Sequence, residues 1–154
     1  MILRLILIIM FCNTSLVKGQ DVKVKQLKSF IKAVADSNVN TDDVIKKYIC
    51  PLSKGKDNDK DYKNYQFVSM QVNSLRKELL SKNKGSLIIR NYKDLPASEQ
   101  NILHANTSIN NIFVVFINNK RFIRVLFTGN KIASFVTMNK GDKGVFIKFC
   151  ADGD

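Results

Sequence analysis

At about Ser86 the apolar residues of this chain change their spacing, and no other feature constrains the fold as tightly. Before that point they recur every three or four positions, the period of a helix with one buried face. After it they gather into short β-branched and aromatic runs separated by Asn and Gly. Leu27, Phe30, Ile31 and Val34 mark a first amphipathic helix over about 24–36. Asn40 and Thr41 cap a second helix, with Asp42 and Asp43 in its first turn, where carboxylates suit the helix dipole; Pro51 ends it. Tyr65, Val68, Val72, Leu75 and Leu79 carry a third helix over about 62–81.

Leu87-Ile88-Ile89 then opens a strand running to about Tyr92, and Asp94-Leu95-Pro96 reads as a helix start, predicting a short helical turn through Leu103. Four further strands are expected over 112–117, 122–127, 132–138 and 145–149. The sequences between them, Asn118-Asn119-Lys120, Gly129-Asn130 and Asn139 to Gly144, favour turns, and connections this short join antiparallel neighbours into a meander. The expected fold is α+β, with N-terminal helices packed on one face of a curved antiparallel sheet. No internal repeat or linker divides it, so residues 20–154 read as one domain, close to the usual domain size.

Residues 1–19 read as a secretory signal peptide. Arg4 supplies a basic start, Leu5 to Cys12 an apolar run, and Val17-Lys18-Gly19 places small residues at −3 and −1 before Gln20. A membrane anchor needs roughly 20 apolar residues, more than twice this run. Lipidation at Cys12 is the rival, but it favours Leu at −3 and a small residue at −1, where this chain has Ile9 and Phe11. The expected location is therefore secreted or periplasmic, with no membrane span.

The 25 Lys and Arg outnumber the 13 Asp and Glu, and loss of Arg4 and Lys18 with the leader lowers the net charge from +12 to +10. Nearly all of this charge is lysine, spread singly along helices and turns. Arginine remains only at 76, 90, 121 and 124. Nucleic-acid readers cluster arginine with exposed aromatics, so specific nucleic-acid binding is not expected. Loose attraction to anionic surface polymers is.

After the leader two cysteines remain, Cys50 and Cys150. In an oxidising compartment they read as one disulfide closing a loop of about 100 residues; the alternative is two buried thiols. With His104 the lone histidine, no metal-ligand spacing exists, and neither a metal nor another cofactor is expected. Asp57, Asp59 and Asp61 sit at positions 1, 3 and 5 of a candidate calcium loop. Tyr62 and Val68 occupy the places where Gly and Glu are required, leaving a solvated acidic loop. His104 reads as a loop histidine, and Asn106-Thr107-Ser108 as a sequon in a turn-rich loop. No catalytic residue is assigned.

Helices followed by a hairpin-linked sheet, with segments such as Phe30-Ile31-Lys32-Ala33-Val34 and Asp43-Val44-Ile45-Lys46-Lys47-Tyr48, resemble the cystatin-like superfold over about 23–150. That superfold includes the nuclear-transport-factor-2-like and ketosteroid-isomerase-like families. The Lys/Asn/Ile-heavy composition is similar to that of small secreted bacterial proteins. The resemblance implies a cone-shaped pocket between helices and concave sheet, and in many members dimerisation through the other sheet face. An isomerase of that family would need a carboxylate base in the pocket, and none of the four later strands contains Asp or Glu. The Gln-x-Val-x-Gly segment of cystatin inhibitors is absent.

Two features of the strands bear on function. Arg124 lies mid-strand, sharing a face with Phe122 and Leu126, while Ile123, Val125 and Phe127 cover the other. It must reach solvent, find a partner or meet an anionic ligand. Ile112 to Ile117 is apolar on both faces, so a sheet with helices on one side would expose the other and bury it in a homodimer. Coverage by the 92–111 connection and burial of both apolar faces by sheet curvature around a pocket are the alternatives. The expected function is a secreted, non-enzymatic binding or interaction domain for an unknown protein or a small apolar or anionic ligand. A small pocket enzyme of the same fold and a structural envelope factor are the rivals.

Overall fold

In the computed structural model the backbone is described over residues 2–52, 60–82, 85–101 and 108–150, and side chains over 19–52, 63–82, 85–101 and 108–150. Three helices lead, as the spacing predicts: α1 (Ile2–Ala35), α2 (Thr41–Tyr48) and α3 (Lys60–Ser81). The first is longer than expected and continues back through the apolar leader. Its stripe of Leu27, Phe30, Ile31 and Val34 is buried. Asn40 caps α2 in extended conformation, its side-chain oxygen accepting from the Asp42 backbone N–H at 2.9 Å, which satisfies one of the helix's orphan donors. The α2 positions Val44, Ile45 and Tyr48 turn inward.

The strands are β1 (Leu87–Asn91), β2 (Ile112–Ile117), β3 (Lys120–Thr128), β4 (Lys131–Ser134), β5 (Thr137–Lys140) and β6 (Lys143–Phe146). The first four form an antiparallel sheet in the order β1-β2-β3-β4. Asn118 and Asn119 join β2 to β3 with φ of 52° and 60°, the positive pair a two-residue hairpin needs to match strand twist.

Three expectations are corrected here. The predicted strand over 132–138 breaks after Ser134, whose hydroxyl accepts from the Val136 N–H at 3.1 Å and donates to the Val136 carbonyl at 3.0 Å. This local closure competes with the ladder. Beyond it β5 pairs only with β6, as a separate two-stranded hairpin. The last strand ends at Phe146, and the chain after it runs back beside β4, with Phe149 N–H donating to the Ala133 carbonyl at 2.8 Å. Where a helix is expected from Asp94 to Leu103, the described residues as far as Asn101 form instead two 3-10 turns, Tyr92–Asp94 and Ala97–Glu99, on either side of Pro96. Proline forces the residue before it into extended conformation, and Leu95 has φ −80° and ψ 153°.

Both faces of the sheet are covered. Towards the helices, Phe113, Val115, Val125, Phe127 and Ile132 join the buried stripes of α1, α2 and α3 in one cluster. Ring contacts of Phe113 with Phe127, and of Phe135 with Phe30 and Phe149, fix how those layers interlock. On the opposite face Ile112, Val114, Leu126 and Ala133 form a second cluster with Tyr92 and Leu95 of the connection between β1 and β2, and Phe146 packs on it. That connection is pinned from both ends. Asn91 donates to the Asn110 carbonyl and accepts from Lys93 N–H, and Gln100 donates to the Leu95 carbonyl at 2.7 Å. The exposed apolar face that led to a sheet-face homodimer is therefore absent, because the chain covers it itself. Among the described residues the large exposed hydrophobics, Val22, Met70, Leu80 and Met138, all lie outside β2 and β3. Among the described residues no helix is long and apolar enough to cross a membrane.

Candidate functional site

A β-bulge in β3 builds the most unusual cluster of side chains in the molecule. Along β2 and β3 the partners are Val114 with Arg124 and Val115 with Ile123, but the next pair is Phe116 with Arg121, leaving Phe122 as the extra residue. A bulge places two residues of one strand opposite one of its neighbour and interrupts the alternation of faces. Phe122 accordingly packs with the helix-side core, under the Lys82 ammonium at 4.9 Å from its ring centroid. Arg121 takes the position beside Arg124 on the other face. This corrects the expected neighbours of Arg124: strict alternation would have placed Phe122 there and Arg121 on the helix side.

Arg90 completes the cluster. It pairs with Val114 from β1, so Arg90, Val114 and Arg124 form one row across three strands, and Ile88, Phe116 and Arg121 form the next. Strand spacing puts the Arg90 and Arg124 backbones roughly 10 Å apart. Three of the four arginines beyond the leader thus share one sheet face.

Their partners come from the connection between β1 and β2. Arg121 Nη2 meets the Glu99 carboxylate at 3.0 Å, and Arg124 Nη2 donates to Asn101 Oδ1 at 2.5 Å. Among the described residues, the buried Nε–H groups of both have no acceptor. Burial lowers the Arg124 pKa from its ordinary value, the Arg121 guanidinium adds to this by repulsion, and Tyr92 opposes it. The group stays charged at any physiological pH. The Arg90 guanidinium carbon stands 5.6 Å from the Phe116 ring centroid. Ile88, Arg90, Glu99, Phe116, Asn119 and Arg121 line a cleft of about 490 Å³ at the end of the sheet face that the Tyr92–Leu95 turn leaves open. Between helices and sheet, where the cystatin-like resemblance implies a pocket, the described side chains pack as core.

Sequence reasoning singled out Arg124 and missed Arg121, Arg90 and Glu99. No strand carries an acid, yet Glu99 brings a carboxylate to the sheet face from a 3-10 turn. The signal that could have found Arg121 is weak: the bulge sits three residues beyond a tight Asn-Asn turn, in a strand apolar at every other step.

Cys50 and Cys150 stand at disulfide distance, Sγ to Sγ 1.97 Å with Cα atoms 6.2 Å apart. The remaining candidates, Asp57 and Asp59 of the acidic loop, His104, and Asn106 and Thr107 of the sequon, lie outside the described residues, as does the Cys12 side chain. No family model, no curated protein and no solved structure matches the chain.

Proposed function

We propose that the chain is an exported, non-enzymatic binding domain that holds an anionic ligand on the second sheet face through Arg121, Arg124 and Arg90. The observation that carries this is that three arginines share one sheet face and two of them, Arg90 and Arg121, line a cleft in which, among the described residues, Glu99 is the one carboxylate. Arginine presents rigid, planar donors suited to carboxylate and phosphate oxygens, and partly desolvated guanidiniums attract anions more strongly than lysines in open water. Arg121 and Arg124 repel each other and Glu99 neutralises only one of them, so a bound anion would relieve the remaining repulsion.

Export is supported by three features. Residues 1–19 carry the signal pattern. The described α1 core positions, Val24 to Val34, all follow Gly19, so cleavage there removes none of them. A cysteine pair at bonding distance suits an oxidising secreted or periplasmic setting. There the lysine excess would add loose attraction to anionic surface polymers.

Amide chemical shifts, followed while a panel of small phosphate- and carboxylate-bearing anions is added at low ionic strength, test the site. At least one anion should move resonances of β2 and β3, and Arg124→Gln should abolish the response with the circular dichroism spectrum unchanged. Silence towards the whole panel, or an unchanged response in the variant, overturns the site. For export, mass analysis of the cell-processed protein should find Gln20 at the N-terminus; an intact Met1 or a lipid on Cys12 overturns it.

A further inference from the structure

We infer that the ligand is a phosphate monoester with a flat apolar or aromatic body, and that Glu99 occupies the phosphate's place until the ligand displaces it; this rests on the anion-site reading above. Three observations point to that class.

The first is charge. Glu99 neutralises one of the three guanidiniums, and it does so from the cleft wall, its carboxylate 3.0 Å from Arg121 Nη2. A carboxylate ligand taking that place would leave the balance as it was. A phosphate monoester carries close to two negative charges at neutral pH; its three terminal oxygens could accept from Arg121, which lines the cleft, with Arg124, which neighbours Arg121 on this face outside the lining, adding its charge.

The second is the strength of the existing contact. The Arg121 and Glu99 side chains are 28% and 40% exposed, so water and salt screen their attraction. The carboxylate sits on a three-residue turn between Pro96 and Gln100. Glu99 can swing away without disturbing either apolar cluster, since it belongs to neither. It thereby partners Arg121, whose guanidinium would be costly to leave alone and partly buried.

The third is the floor of the cleft. Ile88 and Phe116 line it together with Arg90 and Arg121, and Arg90 already stands over the Phe116 ring. A cavity of about 490 Å³ falls in the range of small organic-ligand sites and is more room than an inorganic ion fills. A ring entering between Phe116 and Arg90 would bury apolar area and take over the contact that Arg90 now makes with Phe116.

Calorimetric titration of the oxidised chain with phenyl phosphate, inorganic phosphate and benzoate separates these contributions. Phenyl phosphate should bind at least about tenfold tighter than either, because it alone combines the dianion with the ring. Glu99→Gln should tighten phenyl phosphate binding by about threefold or more by removing the competing carboxylate; Glu99→Ala gives the same readout should the first variant not fold. Phe116→Leu should weaken phenyl phosphate and leave inorganic phosphate unchanged. Inorganic phosphate binding as tightly as phenyl phosphate, benzoate doing so, or Glu99→Gln leaving affinity equal or lower, each overturns the inference while the anion site stands. Absence of binding by all three probes defeats the anion site itself.

Discussion

Arg76 leans from α3 across the end of α1, donating Nε to the Val34 carbonyl at 2.9 Å, Nη2 to the Val39 carbonyl at 2.7 Å and Nη1 to Thr41 Oγ1 at 3.3 Å. It thus ties three consecutive pieces of chain, the last turn of α1, the α1–α2 turn and the first residue of α2. A cation at a helix C-terminus also meets the negative end of the dipole. Arg76→Ala should lower unfolding free energy by about 2–3 kcal/mol in urea titration, and Arg76→Lys should recover only part of that, because an ammonium cannot serve three acceptors in a fork. Arg124 behaves oppositely. Its Nη2 donates to Asn101, but among the described residues its Nε–H has no acceptor, and Arg121 repels its charge, so the fold gains little from it. Arg124→Met, similar in length and uncharged, should leave stability unchanged or raise it by about 1 kcal/mol while removing anion binding. A loss above about 1 kcal/mol would mean that Arg124 is held for structure instead.

At the scale of elements, the β2–β3 hairpin decides where the arginines point. Asn118 does two things there: it takes positive φ in the turn, and its Oδ1 accepts from the Ser86 N–H at 3.2 Å, joining the start of β1 to the hairpin. A Cβ on Gly85 would lie 2.1 Å from that oxygen. Gly85→Ala should therefore cost about 1 kcal/mol, and Asn118→Val about 1–2 kcal/mol because a β-branched residue resists positive φ; Asn119→Gly should be neutral or stabilising. Thermal unfolding of the three variants checks the order. The same elements mark how far the sequence could be read. The helices were legible because Leu27, Phe30, Ile31 and Val34 face the core with nothing to disturb the period, and Asn40 caps as its side-chain chemistry requires. The α+β class followed from the switch in spacing. Strand interruptions were not legible, since Phe135 and Val136 are as apolar as Ile132 and Ala133, and only the Ser134 hydroxyl marks the break. Arg121 was hidden by parity: at an odd position beside even Arg124 it belongs to the other face until a bulge intervenes. Glu99 was hidden for another reason, because its place depends on a long connection whose course only tertiary contacts fix.

For the whole molecule, the connection that brings Glu99 also closes the second sheet face, and the consequence is oligomeric. With Ile112, Val114, Leu126 and Ala133 buried by Tyr92 and Leu95, no contiguous apolar patch remains on β2 and β3, so the chain should sediment as a monomer at micromolar concentration. The Cys50–Cys150 pair then sets how firmly the C-terminal segment is held. It joins residues 100 apart, at the point where the chain leaving α2 donates from Cys50 N–H to the Ile132 carbonyl at 2.9 Å and the returning segment lies along β4. Closing a loop of that length restricts the unfolded chain by a nominal ~4–5 kcal/mol in the chain-entropy account. The segment has other anchors, however. Phe149 is fully buried, contacts the Phe135 and Phe67 rings, and accepts from the Asn64 side chain. Burying a phenyl ring contributes about 1.5–3 kcal/mol by itself, so these contacts should persist without the covalent link. Cys50→Ser with Cys150→Ser should therefore yield a folded protein about 2–4 kcal/mol less stable than the oxidised chain, with a near-native amide spectrum and faster proteolysis after Phe146. A double variant that matches the oxidised chain in urea would show that the two sulfurs are not bonded in the native protein.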